Sequence, residues 1–147
     1  VMTATVTKAM SAIKAVQEAE SCDKTRITRR IEIGHCIHQG DVYVHRVDES
    51  HKRGGRIGGD NHQIALGTGN GARHMAVGDI EVFAGMRLPE WVSAPADIQP
   101  GEITGPVIVA AKAFRIEHPE HAHHQLPAGT YQVTYQYDPR TMRRVID

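Results

Sequence analysis

The chain is predicted to be mainly β, a small β-barrel or jelly-roll-like sandwich with one N-terminal amphipathic helix. Three features support this: short apolar or alternating segments recur from residue 31 onward, Gly and Pro punctuate them, and only residues 5–20 carry a helical period. Its 147 residues fit one domain with one core. Two parts are expected: a helix with a basic connector arm over 1–30, and the β domain over 31–147.

In TVTKAMSAIKAVQEAE (5–20), Val6, Ala9, Met10, Ile13, Val16 and Ala19 share a stripe opposite Thr7, Ser11, Lys14 and Glu18. That stripe suits packing on its own domain first and on a neighbouring subunit second. KTRITRR (24–30) then concentrates Lys24, Arg26, Arg29 and Arg30. Such a run reads as a solvated connector, or more sharply as a docking arm for an acidic partner.

IEIGHCIH (31–38), DVYVHRVD (41–48), HQIALG (62–67), ARHMAVG (72–78) and IEVFAGM (80–86) read as short strands, with QGD (39–41) as a hairpin turn. ESHKRGGRIGGD (49–60) has four glycines, three cations and little to bury, so a mobile loop is expected. WVSAPADIQPGEITGP (91–106) is a connection stiffened by Pro95, Pro100 and Pro106. VIVAAKAFRIE (107–117) reads as one central strand. TYQVTYQYD (130–138) alternates strictly, with Tyr131, Val133, Tyr135 and Tyr137 opposite Thr130, Gln132, Thr134 and Gln136, so its polar side is expected to be wet or to line a polar surface. RRVID (143–147) closes the chain as a short edge strand.

Lys and Arg number 17 against 17 Asp and Glu, so net charge gives no reason to expect a membrane or a specific nucleic acid as partner. The seven aromatic residues are not interleaved with basic ones as in an RNA-binding sheet. No apolar run approaches the roughly 20 residues of a spanning helix, and no signal-peptide core is seen at the start. A chain in the cytoplasm or within a virus particle, not secreted, is expected. Cys22 and Cys36 lack CxxC spacing and suit a reducing compartment as ordinary thiols.

The chemistry concentrates in HPEHAHHQLPAG (118–129), where His118, His121, His123 and His124 fall within seven positions. His118-Pro119-Glu120-His121 has the composition of a four-residue turn, which lets two imidazoles converge. A zinc or iron ion would accept that pair with His74, from GTGNGARHM, as third ligand. Glu117 and Glu120 would supply a carboxylate or orient a ring from behind. His123 and His124 read as loop imidazoles, and His35, His38 and His45 as half-buried packing or hydrogen-bonding residues on strands. His51 and His62 carry no usable pattern, and a pH-sensitive subunit interface is a third reading of the histidines. No GxSxG elbow is present, GTGNG lacks the Lys-Ser/Thr of a phosphate loop, and no catalytic residue is assigned.

From GDVYVHRVD (40–48) through NGARH (70–74), HPEH (118–121), LPAGTYQVTYQYDP (126–139) and RRVID (143–147), the chain resembles a poorly characterised group of small prokaryotic and phage-borne β proteins. That group carries TGHxH-like and HEEH-like turns, then LPxGxYxVxxQxxYxP and a closing RRVxD. The resemblance implies a shared fold and a shared His site. Ala72 stands where the group's first turn offers a further histidine. PAG (127–129) is similar to the second cupin motif, without the histidine that follows it there.

The first expectation is a non-enzymatic assembly subunit, such as an accessory or capsid-stabilising protein of a phage particle, acting as a homo-oligomer or with other assembly subunits. The alternatives are a metal-dependent, cupin-like enzyme using His74, His118 and His121, and a small partner-binding module using the basic arm.

Overall fold

The computed structural model describes residues 25–65, 73–141 and 143–145. The expected helix over 5–20, Lys24 and the GTGNG bend lie outside the described residues.

The described chain runs through β1 (Thr25–Ile27), β2 (Cys36–Gln39), β3 (Val42–Val47), β4 (Arg56–Gly58), β5 (His62–Ala65), β6 (His74–Val77) and β7 (Ile80–Phe83). It continues through β8 (Thr104–Ala110), β9 (Phe114–Glu117), β10 (His123–Leu126), β11 (Gly129–Tyr135), β12 (Tyr137–Asp138) and β13 (Arg143–Arg144). The protein is mainly β. One sheet has the order β1-β10-β9-β6-β5 and the second β2-β3-β11-β8-β7-β4, with β12 and β13 as a separate hairpin. Among the described residues both large sheets stay open and do not close into a barrel. They end on strands of three or four residues, too short to carry a shared ladder around a closed cylinder.

The sheets face each other across one core. Ala76, Phe114, Ile116 and Leu126 come from the first, and Val42, Val44, Val82, Ile108, Tyr131 and Val133 from the second. This is a sandwich-like arrangement. Alternation along each strand puts those residues on the inner face, and the fully buried Tyr131 donates its hydroxyl to Pro127 O at 2.7 Å, so its polar end is satisfied.

Several elements depart from the sequence reading. The basic connector starts as a strand: Thr25–Ile27 pairs parallel with β10, so β structure begins before residue 31. Segment 49–60 is not a plain loop, since Glu49–His51 forms a 3-10 turn and Arg56–Gly58 pairs with β7. VIVAAKAFRIE is two strands in two sheets, because Ala111 and Lys112 have nothing bulky to bury and the chain bends there. The polar face of β11 is not wet: Thr130, Gln132 and Thr134 are buried. The 3-10 turn and the Trp91 loop fold over it. His51 Nδ1 donates to Gln132 Oε1 at 3.2 Å, while Gln132 Nε2 donates to Gly105 O at 2.7 Å. Trp91 Nε1 donates to His45 Nδ1 at 3.3 Å, leaving His45 Nε2–H for Thr134 Oγ1 at 2.9 Å.

Candidate metal centre

The hairpin β2–β3 turns on only Gly40 and Asp41, since Gln39 pairs with Val42. Gly40 takes φ 59°, the first-position glycine that a tight two-residue turn requires. Gln39 and Asp41, 2% and 1% exposed, are held at the end of the core beside the start of β6 and the turn after β9. Gln39 Nε2 donates to Ile116 O at 3.1 Å and to Ala122 O at 2.8 Å. Those two carbonyls fix the amide, so Gln39 Oε1 is the atom that faces His74 Nδ1, at 2.7 Å. An amide oxygen only accepts, so His74 carries a proton on Nδ1. Nε2 of the fully buried His74 is then directed at Asp41 Oδ1, 3.3 Å away.

His118 and His121 complete the group. Ring centroids are 4.4 Å apart for His74 and His118, 4.4 Å for His118 and His121, and 6.2 Å for His74 and His121. Two distant stretches of the chain, one holding His74 and the other His118 and His121, therefore meet side by side. Rings bound to one tetrahedral ion have centroids about 5 Å apart, so these separations bracket the bound geometry. Among the described residues, however, no three His, Cys, Asp or Glu side chains already form a ligand set around one point. The rings pack on one another instead, and His118 Nδ1 accepts the Glu120 backbone N–H at 2.9 Å. Loading an ion would need the rings to turn and that contact to open. A cavity of about 260 Å³ lined by Arg73, Met75, Glu117, His118, Pro119 and His123 reaches the cluster from the outer face of the sheet.

The carboxylates expected behind the rings are placed elsewhere. Glu117 pairs with Arg115 on the strand's outer face. Glu120 is exposed, and its backbone amide donates to His118 Nδ1. Asp41 occupies the position assigned to them. Nothing in the sequence pattern marked it or Gln39, because polar residues at a hairpin tip are by default solvated, and only docking of the tip buries them. His123 and His124 are strand residues of β10 and not loop residues; His124 is buried, and that burial, then Arg26 and His38, lowers its pKa. His35 and His38 are exposed rather than half-buried. Arg26, Arg29 and Arg30 are exposed, and Arg30 pairs with Glu32 at 3.9 Å.

Residues 38–136 match the model of a domain of unknown function, DUF8820. The chain belongs to this family. The DUF8820 segment holds Gln39, Asp41, His74, His118 and His121, and leaves out β1 and the β12–β13 hairpin. No curated protein and no solved structure matches the chain. No helix among the described residues is long and apolar enough to cross a membrane.

Proposed function

We propose that this DUF8820 protein binds one divalent transition-metal ion through His74, His118 and His121, with Asp41 as a fourth ligand. One observation carries the reading. His74 Nε2 lies 3.3 Å from a carboxylate oxygen of the buried Asp41, with the His118 and His121 rings beside it, so three imidazoles and a carboxylate gather at one buried site. Neighbouring ligand atoms on a tetrahedral ion at 2.0–2.1 Å are about 3.4 Å apart, the spacing found here. Gln39 would act as the partner that orients a ligating imidazole through its other N–H.

Three imidazoles and a carboxylate complete a tetrahedral shell and leave no open position. This favours an ion that stabilises the fold over one that activates water, so the protein is read as non-enzymatic. Zinc or iron suits the donor set. Binding would move the His118 proton from Nε2 to Nδ1 and displace the Glu120 amide.

Elemental analysis after reconstitution with Zn²⁺ or Fe²⁺ tests the reading. One ion per chain is expected, lost in Asp41→Asn and in His118→Ala with His121→Ala, together with a chelator-induced fall in Tm of the wild type. No stoichiometric ion in the wild type, or an ion retained by both variants, defeats it.

A second reading, an assembly subunit such as a phage-particle accessory protein, draws support from the β1 edge, which is open among the described residues. Ile27, half exposed on that strand, offers an apolar side chain to another chain, beside a ladder with no partner strand among the described residues.

A further inference from the structure

Away from the histidine cluster, β5, the start of β8 and Arg144 of β13 line an open cavity of about 530 Å³. Its wall is largely apolar, with Ile64 and Ala84 inside and Ile57 and Met86 at the rim, the last two 52% and 53% exposed. Met86 is held at φ 44°, a left-handed conformation that a non-glycine side chain rarely adopts and that is retained where a local geometry is needed.

One wall is cationic. The Arg144 guanidinium lies 3.6 Å over the Tyr135 ring, and Tyr135 is itself pinned by its hydroxyl donating to Ile64 O at 2.6 Å. Arg144 Nε and Nη2 are shielded from solvent and have no hydrogen-bond partner among the described residues. Buried donors of this kind are costly unless something satisfies them. Glu102 also lines the cavity, but it is exposed and accepts from Gln99 N at 3.4 Å.

We propose that this cavity binds a small carboxylic acid with an apolar body. The Nε and Nη2 hydrogens lie on one edge of the guanidinium, the fork that a carboxylate meets with both oxygens once the side chain turns that covered edge into the cavity. The volume suits a small ligand, and the apolar wall takes its hydrocarbon part. The site does not use the metal cluster, and Arg144 lies outside the family segment.

Calorimetry on the full chain with octanoate and its neutral counterpart octanamide tests the proposal. Octanoate should bind roughly tenfold or more tightly than octanamide, the value of a charge-assisted pair shielded from water. Arg144→Gln should abolish that preference while leaving octanamide binding in place. Ile57→Glu, at the exposed rim where folding does not depend on it, should weaken octanoate more than octanamide. No binding of octanoate, equal binding of acid and amide, or a preference that survives both variants overturns the proposal.

Discussion

Replacing Gln39 by Ala tests the arrangement that aims His74. The amide donates to Ile116 O and Ala122 O and accepts from His74 Nδ1, and all three contacts are shorter than 3.2 Å at a residue 2% exposed. Truncation leaves two carbonyls and one imidazole N–H without their partner. At roughly 1 kcal/mol or more for each buried group, the loss is about 3–5 kcal/mol once the vacated volume is included. For a chain of this length that corresponds to a fall in Tm of roughly 10–16 °C, read by circular dichroism. Long-range ¹⁵N correlation spectra of the imidazoles add a second readout: His74 should carry its proton on Nδ1 in the wild type and lose that fixed tautomer in Gln39→Ala. A loss below about 1 kcal/mol, or a wild-type His74 without a proton on Nδ1, would refute the reasoning.

His45 gives a pH dependence. Burial first, and the nearby His51 second, push its pKa down from 6.5 to about 4. The unfolded chain then binds more protons than the folded one between those values, so stability is complete above about pH 6.5 and is lost as pH falls toward 4. Protonating Nδ1 also expels the Trp91 indole N–H, so Trp91 fluorescence should follow the loss. Urea unfolding at pH 7 and pH 5 should differ by roughly 1–2 kcal/mol more in the wild type than in His45→Gln, after allowance for solvent screening; equal differences count against this account. The assembly reading is checked by light scattering. The wild type should form a defined oligomer that Ile27→Lys dissociates, and a wild type that stays monomeric at high concentration removes it.

How far the sequence exposed the site differs residue by residue. His74, His118 and His121 are visible because imidazole clusters are rare and a proline turn brings two of them together. Gln39 and Asp41 are not, since their burial depends on a hairpin tip docking against strands far along the chain. Glu117 and Glu120 are adjacent in sequence to the ligands, but strand alternation turns Glu117 to the outer face and the turn leaves the Glu120 side chain in solvent.

The fold divides along the same line. A period of two, with Gly and Pro between segments, is a local property, so the β class, the β11 alternation and the Tyr131–Val133–Tyr135 inner face follow from the order of the residues alone. Which sheet a strand joins is set by long-range pairing. The break at Ala111–Ala113, the recruitment of Thr25–Ile27 beside β10, and the loop that covers Thr130, Gln132 and Thr134 were therefore decided only by tertiary structure. Alternation states that two faces differ; only the packed neighbours determine whether the polar one meets water or a buried hydrogen-bond partner.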